Sequence, residues 1–332
     1  MSSEKESMFR TPILCLWLAL SILIPLSVNC ADAAQDEWSR KADFGGTARY
    51  GAIGCSVGTR GYIGMGSDES SYRNDFWEYD PAANSWTQKV NFRVAERYGT
   101  VGFSIGTKFY VGTGSDGSFK NDFWEFDPGA SVWTQKANFG GTARFLAVGF
   151  SILNRGYIGM GFDGSFQKDF WGYDPAANAW TRKADFAETA RYSAVGFSIG
   201  NRGYIGTGQD GSFRKDFWEY DPTADAWTRK ADFGGTARYA AVGFSIGNKG
   251  YIGTGQDDSF VNRRDFWEYD PTADTWTRKA DFGGTARYWA LGFSIGNRGF
   301  IGTGHDGSFR KDFWEYRPNA GSLPWLMILL ID

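Results

Sequence analysis

The stretch DGSFRKDFWEYDP occupies Asp210–Pro222. It is written again at Asp163–Pro175, Asp116–Pro128 and Asp306–Pro318, with looser copies at Asp68–Pro81 and Asp257–Pro271. Within it, Trp77, Trp124, Trp171, Trp218, Trp267 and Trp314 form one column, spaced 47, 47, 47, 49 and 47 residues apart. A second column is Trp38, Trp86, Trp133, Trp180, Trp227 and Trp276. A fixed period near 47 marks a repeat architecture, in which each unit must bury its apolar face against the next.

One unit runs from Thr236 to Lys279. Thr236–Gly247 is β-rich and ends in Gly, and Asn248-Lys249 reads as a two-residue hairpin turn. Gly250–Gly255 is a second strand, the loop at 256–264 follows, and Asp265–Asp270 is a third. Pro271–Asp274 turns the chain, because Pro fixes φ at a turn position. Thr275–Lys279 is the outer strand. Four antiparallel strands in under 50 residues make a propeller blade. No segment after the first 33 residues shows helical periodicity.

These units resemble kelch repeats, and the chain is similar to bacterial secreted or periplasmic kelch-repeat proteins of the galactose-oxidase-like superfamily. The resemblance rests on the second strand Gly203-Tyr-Ile-Gly-Thr-Gly208, the Trp-Glu-Tyr-Asp-Pro third strand and the outer-strand Trp, over Glu37 to Pro318. One departure is Gly-Thr-Gly where kelch repeats commonly carry a Gly-Gly pair. The expected fold is an all-β, six-bladed kelch-type β-propeller. Its repeats lie near 47–89, 95–136, 142–183, 189–230, 236–279 and 285–316.

The sixth unit lacks an outer strand, yet Trp38–Phe44 matches Trp227–Phe233 before any first strand has appeared. The Trp38 strand, at 37–41, is therefore expected to complete the sixth blade and close the ring. The recurring Trp and Phe are expected to fill the gaps between blades. Full burial of one Trp contributes at most about 5 kcal/mol, from ~200 Å² at ~25 cal/mol per Å².

Residues 1–33 read as a cleavable signal peptide: Lys5 and Arg10, the apolar run Pro12–Val28, then Ala31-Asp32-Ala33. The protein is thus expected to be secreted or periplasmic, with no membrane span after cleavage. A lipid anchor at Cys30 is disfavoured, because Ser27-Val28-Asn29 is a poor lipobox. Only Cys55 remains in the propeller at 34–318, so no internal disulfide is expected. The tail at 319–332 is apolar and too short to span a bilayer. A net charge of −3 with both signs mixed leaves no basic field for nucleic acid.

Chemistry is scarce. The single histidine, His305, cannot supply the two-His copper site of galactose oxidase, nor a zinc or nucleophile–His site. No phosphate loop and no sialidase-type Asp box occur, and no cofactor is expected. One recurring set is an arginine at the start of each first strand: Arg49, Arg97, Arg144, Arg191, Arg238 and Arg287. Six guanidinium groups ringing the channel mouth, on the face of the fourth-to-first and second-to-third loops, would suit an anionic ligand. The opposing account is that each pairs with a local carboxylate. A second set, Asp68, Asp116, Asp163, Asp210, Asp257 and Asp306, is read as Asx-turn capping rather than calcium ligation. Symmetry is broken by Glu96, Glu188, His305, Trp289 and a two-residue extension at Arg263-Arg264. The expected function is a non-catalytic binding or scaffold propeller presenting this face to a protein or glycan. The resemblance also implies an alternative, a metal-free sugar enzyme of the sialic-acid mutarotase type, using Glu96, Glu188, His305 and the arginines.

Overall fold

A computed structural model describes residues 36–318. The expected signal peptide, the Cys30 question and the apolar tail lie outside the described residues. The described chain forms six sheets of four antiparallel strands arranged as the blades of a propeller ring. Blade 1 comprises Ile53–Val57, Arg60–Gly64, Phe76–Asp80 and Ser85–Lys89, named here inner, second, third and outer strands. Blades 2 to 5 repeat this meander, with inner strands Val101–Ile105, Val148–Ile152, Val195–Ile199 and Val242–Ile246. Blade 6 takes Leu291–Ile295, Arg298–Gly302 and Phe313–Arg317 from the C-terminal end and Glu37–Arg40 from the N-terminal end.

Two local expectations shift. The hairpin of blade 5 turns at Gly247-Asn248, one residue early, pairing Ile246 with Lys249. Gly247 has φ +58°, and a positive φ at the first central residue suits the twist of the flanking strands. The inner strand begins at Val242 rather than Thr236. Ala240, at φ +52°, breaks the extended backbone and leaves Arg238–Tyr239 in a separate short pairing with Gln256–Asp257. The arginines therefore precede the channel-lining strands and are not part of them.

The inner strands converge on the axis, so their side chains must be small or interlocking. A Cβ on Gly196 would lie 2.2 Å from the Val148 side chain of the preceding blade's inner strand, so only glycine fits there. Further out, the outer-strand Trp of each blade meets the third-strand Phe of the preceding blade edge-on, as Trp227 does Phe170 at 5.1 Å. Among the outer-strand Trp only Trp133 is fully buried, and the third-strand Trp are half-buried. The columns are interblade packing as expected, at less than the full-burial energy each.

The ring closes as expected. Glu37–Arg40 pairs with Arg317–Trp314. Trp38 Nε1 donates to the Ala280 carbonyl at 3.1 Å, as Trp227 Nε1 does to Ala184. Tyr316 Oη donates to Asp36, the role Asp225 plays for Tyr220. A second closure runs around the axis. The amides of Gly51, Gly99, Leu146, Ser193, Ala240 and Trp289 each donate to the carbonyl of the equivalent residue one blade back. The result is an unbroken ring of six hydrogen bonds of 2.8–3.2 Å, and all six residues have positive φ.

Truncating Trp38 to Ala should cost about 3 kcal/mol, because it leaves a cavity at the only blade built from both ends of the described chain. A denaturant titration that moves no further than for a surface control would overturn this. Conversely, Leu153 stands at φ +54° in a turn where five blades have Gly, and it is 76% exposed. Leu153→Gly should stabilise by about 1 kcal/mol in the same titration, by removing left-handed strain without losing packing.

Candidate binding face at the channel mouth

Each fourth-to-first link carries three consecutive residues with three directions, for example Arg191-Tyr192-Ser193. The arginine side chain turns inward. In blade 4, Arg191 is fully buried and uses all five of its N–H groups. Nε donates to the Thr189 carbonyl at 3.2 Å and one Nη to the Thr207 carbonyl at 3.1 Å. Asp216 takes two, at 2.6 and 3.0 Å, and the Thr189 hydroxyl takes the last at 3.2 Å. The guanidinium also lies 5.1 Å over the Phe186 ring. Arg49, Arg144, Arg238 and Arg287 repeat this with Asp75, Asp169, Asp265 and Asp312. Arg97 pairs with Asp122 but has Ala95 where the others have Thr.

This corrects the arginine-ring expectation. The six guanidinium groups are at most 2% exposed and point between strands. In five of them all five donors are consumed internally, and Arg97, which lacks the Thr hydroxyl, uses four, so buried between strands they present no anion site at the mouth. A local carboxylate does take each of them, namely the aspartate opening the third strand. That same aspartate also accepts the Nε1–H of the following third-strand Trp, as Asp216 does from Trp218 at 2.8 Å. The loop aspartates cap turns as expected: Asp210 accepts the Ser212 amide at 3.1 Å and pairs with Arg214.

The aromatic residue that follows each arginine turns toward the face. Tyr50, Tyr98, Phe145, Tyr192, Tyr239 and Tyr288 form a crown of half-buried rings around the mouth. In five blades a second ring, from the preceding blade's second-to-third loop, stacks on it. The pairs are Tyr72 on Tyr98, Phe119 on Phe145, Phe166 on Tyr192, Phe213 on Tyr239 and Phe309 on Tyr50, at 4.9–5.5 Å. The sequence contained the signal, an aromatic after every arginine and the Phe of Asp-Gly-Ser-Phe. Sequence reasoning passed over both by attending to the charges.

The third residue of each triplet faces the axis. Gly51, Gly99, Leu146, Ser193, Ala240 and Trp289 line a mouth cavity of about 130 Å³, and a channel of about 210 Å³ lined by Ala-Val-Gly runs beneath. Trp289 is half-buried and stacks on Tyr50 at 4.9 Å, with its Nε1 enclosed and unpartnered. The ring wall is available at the mouth, whereas its N–H is not. Glu96 is exposed and Glu188 half-exposed, on the links entering blades 2 and 4. His305 is in blade 6, where its Nδ1 accepts the Gly307 amide at 3.3 Å and its ring meets Tyr50 and Tyr288 edge-on. No hydrogen bond joins these three to one another among the described residues, so no acid–base pair is assembled. No group of acidic, His or Cys residues that could hold a metal occurs among the described residues either.

Arg191→Ala should cost about 3–5 kcal/mol by leaving Asp216 buried without its partner. Arg191→Lys should recover little of it, since an ammonium cannot make the five-donor fork. Chemical denaturation measures both, and an unchanged midpoint for either would contradict the pinning role. The pairs also set an acid limit. Burial opposes ionisation of Asp265 and Asp312, but the guanidinium beside each prevails and holds its carboxyl below the usual 3.8. Such a group stabilises the fold above its unfolded value, so this contribution should persist above about pH 4 and fade as pH drops below it. Melting temperatures across pH 2–6 test the sign.

No family model and no curated protein matches the chain. A solved structure titled "Structure of YjhT" is similar, with a TM-score of 0.69 over 82% of this chain and 96% of that chain, at 14% identity. At that identity the likeness is one of fold, and the fold it supports is the one the strands define: an all-β propeller of six four-stranded blades.

Proposed function

We propose that the protein is a kelch-type propeller of the exported class, and that it binds a protein or glycan ligand, without catalysis, on the face of its fourth-to-first and second-to-third loops. The observation that carries this reading is the aromatic crown. Eleven rings from the two loop sets surround one mouth, and although the stacked pairs join neighbouring blades every one of these rings keeps part of its surface in solvent, Phe119 as much as 36%. Aromatic rings supply large contact area at low entropic cost, which suits them to recognition. The buried arginines give that face rigidity rather than charge. The dispersal of Glu96, Glu188 and His305 over three blades weighs against the sugar-enzyme alternative, which needs one asymmetric acid–base constellation.

A glycan array including neutral, sialylated and uronic-acid sugars, run beside a binding screen against envelope proteins, tests the reading. At least one ligand is expected whose affinity falls tenfold or more in Phe119→Ala and is unchanged by Leu153→Gly on the opposite face. Affinity that ignores the crown would sink it. NMR of sialic-acid anomers should show no acceleration of their interconversion, and a rate increase would restore the enzyme.

A further inference from the structure

One seam of the crown is unfinished. Where the second-to-third loop folds back, its bridge position is aromatic in five blades: Tyr72, Phe119, Phe166, Phe213 and Phe309. Blade 5 has Asn262 there, bridged to Gln256. The cause is the two-residue extension of this loop. Arg263 takes the place of Arg214 by pairing with Asp257, so Phe260 falls two residues short of the bridge. Phe260 turns out at φ +58°, is 76% exposed and lies 6.0 Å edge-on from Phe213, and Val261 is 46% exposed. Tyr288, the crown residue served by this loop, is in consequence the one of the six with no loop ring stacked on it; its ring neighbours are Trp289, tilted at 5.2 Å, Tyr239, tilted at 6.3 Å, and His305, edge-on at 5.6 Å.

The other five seams show what the vacant place accepts: a flat ring about 5 Å from the crown residue. The edge of the place is polar. Tyr288 Oη has no hydrogen-bond partner among the described residues. Asn262 accepts from Gln256 through Oδ1 at 3.1 Å, which leaves its N–H donors unused. His305 Nδ1 is taken by Gly307, which leaves Nε2 without a protein partner. A phenyl ring seated here would leave those groups facing carbon. A pyranose presents a C–H face to an aromatic ring and hydroxyls around its rim, and satisfies both.

We infer that the seam between blades 5 and 6 is a monosaccharide subsite in which a neutral hexopyranose stacks on Tyr288 and is held at its rim by Asn262, Tyr288 Oη and His305. This rests on the binding-face reading and narrows it to one ligand class and one seam. Asn262→Phe is the informative variant. It restores the residue type of the other five seams, its backbone needs no positive φ, and it fills the place without removing packing.

The purified protein is titrated with the methyl glycosides of glucose, galactose and mannose by saturation-transfer NMR, with an array of neutral glycans in parallel. At least one glycoside is expected to receive saturation at its ring C–H protons. Affinity should fall tenfold or more in Asn262→Phe and in Tyr288→Ala, and two- to fivefold in Tyr288→Phe, while Asn262→Phe keeps the wild-type melting temperature. Sugar binding that survives Asn262→Phe but is lost in Tyr98→Ala would overturn this inference and leave the face reading standing. Failure of the folded wild type to bind any neutral sugar would also overturn it, and a protein ligand lost on Phe119→Ala would then carry the face reading alone.

Discussion

The buried arginine–aspartate pair is the joint on which each blade hangs. The arginine backbone belongs to the preceding blade's loop, as when the Gly161 amide donates to the Arg191 carbonyl and the Arg191 amide to the Gln167 carbonyl. Its side chain belongs to its own blade, clamped on Asp216 and the Thr207 carbonyl. One residue therefore fixes the angle between two sheets. Removing two charges from water is expensive, and it is tolerated here because every donor is matched in five blades and four of five in the Arg97 blade, with an aromatic ring under each cation. A planar fork with five donors does this and an ammonium does not.

Both other features of the mouth follow from that clamp. With the arginine held inward, the next residue must emerge on the face and the one after must reach the axis. The first becomes the crown. The second adopts a left-handed backbone and joins the six-amide ring, whether it is Gly51 or Trp289. Non-glycine residues accept that strain because neighbouring blades hold the amide on both sides. The axis is narrow for the same reason, since inner strands packed glycine against Phe and Val leave room only for a thin channel.

Sixfold repetition makes the face uniform, and function requires that it not be. The departures collect where the loops vary: Trp289 at the mouth, His305 beneath the crown, and the lengthened loop of blade 5. Of these, the extension alters shape most, because two added residues displace a ring from a position that five blades fill.

Much of this was legible in the chain itself. The 47-residue period, the Gly-rich second strands and the orphan Trp38 segment sufficed for blade number, strand count and closure, because interblade burial demands the same apolar residue at the same place six times. The Asx turns at the loop aspartates were legible too, being local hydrogen bonds between residues two apart. What the sequence could not decide was direction. Arg191 reads as a ligand-binding guanidinium or as a residue pairing with a local carboxylate, and sixfold recurrence favours the pairing without saying which carboxylate takes it. The choice depends on whether Asp216, 25 residues on, comes within reach, and only the folded sheet brings it there. Likewise Arg263-Arg264 read as a longer loop, while the vacancy it leaves over Tyr288 exists only once two blades stand side by side. Repetition is written in one dimension, but the fate of a side chain depends on neighbours that pairing and packing supply.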